Sequence, residues 1–138
     1  MKVFSIAKVT SSRYGQLMDF VVSGKSLLAE LERREYDLVP RLSGGLVPID
    51  QQTRAHLLLE EEDDLPDGRV GIYTCPCGDY GCGVVSVTIE KDGDHIVWHD
   101  FRYRNDYDDE VVSLEKLGPF KFMKQDYRNA IIGDNSSS

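Results

Sequence analysis

Three cysteines fall within one stretch, Cys75-Pro76-Cys77-Gly78-Asp79-Tyr80-Gly81-Cys82-Gly83, spaced C-x-C-x4-C. Three thiolates in one turn suit a soft metal ion, and zinc asks for four tetrahedral ligands with sulfur at about 2.3 Å. A fourth donor would have to come from elsewhere. His95 and His99 share a strand-like run after the motif, but their separation of about 13 Å along a strand lets at most one of them reach; His99 completes the candidate set Cys75, Cys77, Cys82 and His99. His56 belongs to a helical segment remote in sequence. A full zinc signature pairs two Cys-x-x-Cys units, and this chain holds half of one. Thiol redox chemistry asks for an activated thiolate, usually opening a helix. Here the pair sits between strands, and the Asp79 carboxylate works against a neighbouring thiolate. The plain structural alternative makes Cys75 and Cys82 small buried residues facing each other across a turn, with Gly78, Gly81 and Gly83 supplying its geometry.

The elements that must position this stretch are strands. Val70-Gly71-Ile72-Tyr73-Thr74 and Val84 to Glu90 are β-branched and alternating, which places the cysteines at the tip of a β-hairpin. Lys91-Asp92-Gly93-Asp94 carries an Asp-Gly turn signal and leads to a third strand, His95 to Arg104, so an antiparallel meander is predicted. Strict alternation along that third strand would put Val97, His99, Phe101 and Tyr103 on one face and Ile96, Trp98, Asp100 and Arg102 on the other. Both faces carry apolar residues, as in a central strand. His99 and Asp100 then point apart, and no nucleophile, histidine and acid share a recognisable motif, so hydrolase chemistry has no support.

Upstream, Lys2 to Thr10 and Leu17 to Val22 read as an N-terminal hairpin. Ser23 or Ser26 can cap a helix from Lys25 to Tyr36 that buries Leu27, Leu28 and Leu31 and pairs Glu30 with Arg33 or Arg34. Asp50 can cap a second helix running to Glu61, with Arg54 and Glu61 on its wet side. Neither Gly44-Gly45 nor Gly24-Lys25-Ser26 has phosphate-loop spacing, which argues against nucleotide binding. Downstream, an acidic, aromatic loop leads into Val111 to Leu114, Gly118 to Phe122 alternates, and a closing helix spans Lys124 to Ile132 with Gly133 as its cap. The expected fold is α+β: an antiparallel sheet of five or six strands with two or three packed helices, one domain over residues 1–133, and a disordered tail over 134–138.

The chain has 138 residues with 24 acidic and 16 basic side chains, a formal charge of −8. That balance opposes nucleic acid phosphates and anionic lipid alike. No apolar run approaches a membrane span and no basic-then-apolar leader opens the chain, so a soluble, cytoplasmic protein is expected, with reduced thiols. Two acidic runs stand out. Glu60, Glu61, Glu62, Asp63 and Asp64 are consecutive, and Asp106, Tyr107, Asp108, Asp109 and Glu110 follow the third strand close behind Tyr103. A run of like charges is ordinarily a solvated surface. As a docking patch, these carboxylates with Tyr103 and Tyr107 as anchors would suit a basic protein partner.

The segments Tyr73 to Gly83, Val97-Trp98-His99-Asp100-Phe101, Asn105-Asp106-Tyr107 and Leu117-Gly118-Pro119-Phe120 together resemble a family of small bacterial proteins sharing a Cys-x(1,2)-Cys-Gly-Asp-x-Gly-Cys-Gly motif. Several members carry Cys-x-x-Cys where this chain has Cys75-Pro76-Cys77. The resemblance covers the C-terminal half and implies no catalytic residue. On composition, the first functional reading is a non-enzymatic acidic module that binds a basic protein, in one form an immunity protein neutralising a bacterial toxin domain, with no cofactor. The competing reading is a small zinc-binding or thiol-redox protein centred on the cysteines.

Overall fold

The computed structural model describes residues 1–42, 51–77, 79–107 and 111–132. The expected N-terminal hairpin forms from β1 (Phe4–Ser11) and β2 (Gly15–Val22), in the register Phe4↔Val22. With the short β3 (Lys25–Ser26) it makes a separate three-stranded sheet. The predicted first helix is shorter than its sequence pattern, α1 (Leu27–Arg33), because Lys25 and Ser26 pair with β2 before it begins. Ser26 caps it, its hydroxyl accepting from the Ala29 N–H at 3.0 Å. Glu30 bridges Arg33 and Arg34 as the spacing required, and Glu35 ends the helix at φ 70°.

The second sheet holds six antiparallel strands: β4 (Val39–Pro40), β5 (Val70–Thr74), β6 (Val84–Asp92), β7 (His95–Arg104), β8 (Val112–Ser113) and β9 (Phe120–Met123). Strand β7 is central, with β6 on one side and β8 and β9 sharing the other. The α+β architecture with three helices among the described residues is as expected. α2 (Gln51–Leu57) stops short of Glu61, since Leu59 turns left-handed at φ 61°. α3 (Lys124–Ile132) has the predicted bounds. Asp50, Gly44, Gly45, Gly133 and the tail over 134–138 lie outside the described residues. Among those described, no helix is long and apolar enough to cross a membrane.

The two sheets meet at a knot of aromatic rings. Phe4 packs on Tyr127 at 4.7 Å, Phe122 at 5.0 Å and Trp98 at 5.4 Å, while Phe20 reaches Trp98 at 5.4 Å and Tyr73 at 5.7 Å. Tilted and edge-on contacts of this kind add to the burial of the rings themselves. Trp98 is therefore core, its N–H donating to the Tyr127 hydroxyl at 3.2 Å. Asp19 is buried in the same interface and accepts from the Tyr73 hydroxyl, the Ser26 hydroxyl and the Leu28 N–H. Desolvation raises its pKa, and those three donors offset the rise only in part.

Alternation along β7 is broken by one residue. Asp100 adopts φ 62°, and the register with β6 slips between Ser86 and Thr88. The bulge changes phase, so Ile96, Trp98 and Phe101 are all buried, where strict alternation separates Phe101 from the other two. Arg69 holds the bulge: its guanidinium donates to Ser86 Oγ at 2.8 Å, to the Ser86 carbonyl at 3.0 Å, to Asp100 Oδ2 at 3.1 Å and to the Asp100 carbonyl. Burial raises the Asp100 pKa, but hydrogen bonding from Arg102 and the charges of Arg69 and Arg102 outweigh it, and the net displacement is downward. A depressed carboxylate stabilises the fold above its unfolded value of 3.8 and loses that contribution as pH falls through the lower native value. D100N, which tolerates the left-handed backbone, should be less stable than the parent at neutral pH. Urea unfolding across pH checks this: the gap should close in strong acid, and a gap constant with pH would contradict the assignment.

Candidate metal centre

The cysteine stretch is the loop joining β5 to β6, as its flanking strands predicted. Closure begins with the Cys75 N–H donating to the Gly83 carbonyl at 3.0 Å, directly beyond the last strand pair Thr74↔Val84. Two turns follow inside it, Cys82 N–H to the Asp79 carbonyl at 3.0 Å and Gly83 N–H to the Tyr80 carbonyl at 3.1 Å. Asp79 Oδ1 accepts from the Gly81 N–H at 2.8 Å. The Asp106 N–H, just past β7, donates to the Gly81 carbonyl at 2.8 Å and ties the loop to its neighbour. A Cβ on Gly81 would meet the Asp106 carboxylate, the end of an exposed side chain that would have to turn aside.

Within this frame the sulfurs of Cys75, Cys77 and Cys82 all lie within 4.8 Å of one another. Tetrahedral zinc thiolates sit about 3.8 Å apart, from a bond of about 2.3 Å. The three sulfurs thus lie at most about 1 Å beyond coordination spacing. All three are free thiols; Cys77 is exposed and Cys75 and Cys82 are half-buried. This corrects the expectation of buried cysteines packed across the turn, since the loop bends the sulfurs outward together.

The loop also biases their ionisation. Cys77 is shifted below the ordinary thiol range, first by the Asp79 N–H donating to its sulfur at 3.4 Å and then by the Cys82 and Cys75 thiols. The backbone of Asp79 thus favours the thiolate, and its carboxylate opposes it only weakly. Cys82 is pushed up to about 11, chiefly through its hydrogen bond with Cys77. In the metal-free chain iodoacetamide should therefore modify Cys77 first, and peptide mapping that found Cys82 modified before Cys77 would contradict this ordering.

His99 does not join the sulfurs. On β7 it pairs with Thr88 of β6, roughly 16 Å along the strand from the loop end, and its Nε2 lies 2.7 Å from Glu90 Oε2. His95 is at the opposite end of the hairpin, paired with Met123. His56 is buried beside Arg41 and Asp63.

The two acidic runs meet different fates. Glu60, Glu61, Glu62 and Asp64 are exposed, but Asp63 is turned inward with its side chain 3% exposed. It accepts from the Tyr80 hydroxyl at 2.7 Å, the Gly71 N–H at 2.8 Å and Arg41 at 3.2 Å, so it is a structural residue in place of a docking carboxylate. Arg54, assigned to the wet side, is half-buried, and its Nε is buried without a partner among the described residues. Through Tyr80 the network anchors the cysteine loop; the ring lies so close over Gly71 that a Cβ there would meet its hydroxyl at 2.7 Å. Arg41 completes it, donating to Thr53 and the Gly71 carbonyl. Tyr103 packs on Tyr36 at 4.7 Å and is half-buried. Asp106 and Tyr107 are exposed, Tyr107 by 82%, with its hydroxyl 3.9 Å from the Cys82 sulfur. Asp108, Asp109 and Glu110 lie outside the described residues. Arg41, Tyr80 and Arg69 were not singled out from sequence; each is an isolated polar residue whose partners are distant along the chain.

Compared with protein-family models, curated proteins and solved structures, this chain matches none.

Proposed function

We propose that this chain is a small metal-binding protein whose centre is Cys75, Cys77 and Cys82, with zinc as the ion. The observation that carries the reading is the mutual approach of three free sulfurs within 4.8 Å on a loop closed by its own hydrogen bonds. Unpaired thiols have no packing reason to gather at a surface, whereas thiolates around a borderline-soft cation do. The Asp79 N–H directed at the Cys77 sulfur supports it, because a sulfur that accepts a backbone hydrogen bond is better held as the thiolate a metal needs. Titration of the reduced chain against a chromophoric zinc chelator is expected to show one zinc withdrawn per chain. No competition, or equal competition from a chain with all three cysteines changed to serine, would overturn the reading.

A second reading has its own support. Asp106 and the 82%-exposed Tyr107 stand beside the sulfurs as an acidic, aromatic edge, the composition of a docking surface for a basic protein. An immunity protein binding a toxin domain is one form of it. Charge reversal at Asp106 with Y107A should then weaken the complex, and unchanged affinity would remove this surface from consideration.

A further inference from the structure

We infer that the cysteine cluster is a peroxide-sensitive site, where a hydroperoxide joins Cys77 to Cys82 as a disulfide and releases the bound ion. The release rests on the metal reading above; the disulfide does not. Three free sulfurs within 4.8 Å of one another are already neighbours, and a disulfide asks two of them to close to about 2.05 Å. Cys77 meets the oxidant because it is exposed, while Cys75 and Cys82 are half-buried. The Asp79 N–H donates to its sulfur at 3.4 Å and holds it in place. Of its two neighbouring thiols, Cys82 makes the stronger hydrogen bond to Cys77. The link to Cys82 also spans a stretch in which the Cys82 N–H already returns to the Asp79 carbonyl at 3.0 Å. A bridge from Cys77 to Cys75 would instead close over Pro76 alone, whose fixed φ leaves the backbone little freedom to adapt.

The chemistry is a two-electron oxidation of the sulfur pair. The Cys77 sulfur attacks one oxygen of the hydroperoxide, the O–O bond breaks, and the other oxygen leaves as an alcohol or water once protonated. Cys77 is then a sulfenic acid. The Cys82 sulfur attacks the Cys77 sulfur, the S–O bond breaks, and the hydroxyl leaves as water. In the metal-free chain the two thiols supply both protons; in the metal-loaded chain, where both sulfurs are thiolates, solvent supplies them. Two of the three ligand sulfurs are then disulfide atoms without thiolate charge, and Cys75 alone cannot keep the ion.

The test treats the reduced full chain, metal-free and zinc-loaded, with equimolar hydrogen peroxide, followed by alkylation and peptide mapping. Alkylatable cysteines should fall from three to one, with Cys77 joined to Cys82, and dithiothreitol should restore them all. The zinc-loaded chain should release one zinc to a chromophoric chelator for each disulfide formed. Metal-free C82S should lose the crosslink and accumulate a Cys77 sulfenic acid that dimedone traps, whereas C75S should keep the crosslink. A disulfide formed by C82S as fast as by the parent would overturn the pairing. Three alkylatable cysteines after peroxide, or Cys77 driven to sulfinic acid without a crosslink, would overturn the inference and leave a zinc-loaded chain's metal reading standing. A chain that forms the crosslink but takes up no zinc would remove the metal reading and the release, and would uphold the disulfide.

Discussion

A C77S chain is expected to bind zinc roughly a hundredfold more weakly than the parent, since about 10–16 kcal/mol over four ligands makes each worth about 3 kcal/mol. Cys77 is the informative position because it is exposed, so its replacement disturbs little packing. The strand pair Thr74↔Val84 and the closing bond from Cys75 to Gly83 do not involve its side chain. The metal-free variant should therefore unfold at nearly the parent's urea midpoint while competing poorly with a chelator. A change in affinity below about threefold would mean that Cys77 is not a ligand.

Replacing Arg69 with methionine should produce the largest loss of stability, about 3 kcal/mol or more. The Arg69 side chain is 7% exposed and serves acceptors on two strands, including the carbonyls of Ser86 and Asp100. Methionine fills much of the volume but donates nothing, leaving those acceptors without their donor. The consequence reaches the core, because the Asp100 bulge turns Phe101 to the same side as Trp98. T88A removes one acceptor from the same guanidinium and should cost about 1 kcal/mol or less. Equilibrium urea unfolding of both variants checks the pair, and an R69M midpoint no lower than that of T88A would refute the role given to Arg69.

What could be read from the residues was whatever depends on near neighbours. The β5–β6 hairpin, the Asp-Gly turn into β7, the Ser26 cap and the bounds of α3 all follow from local pattern and recur in the fold. The site was legible to the same degree: C-x-C-x4-C in a hairpin loop already implied that the sulfurs lie close. What could not be read depended on distant partners. Asp63 looks like one of five equivalent acids until Tyr80, Arg41 and the Gly71 amide converge on it. His99 looked near the loop because its strand is adjacent, yet register places it toward the other end of the sheet. Phe101 changed faces because a bulge inserts one residue, and nothing local to Asp100 announces the arginine 31 positions away that holds it there.

The most direct measurement is zinc-edge X-ray absorption on the chain purified without chelator, together with elemental analysis of the same sample. One zinc per chain with three sulfur neighbours at about 2.3 Å and one lighter donor is the predicted result. A metal-free chain that also fails to take up added zinc, or zinc bound wholly by oxygen and nitrogen, would contradict a centre built on Cys75, Cys77 and Cys82.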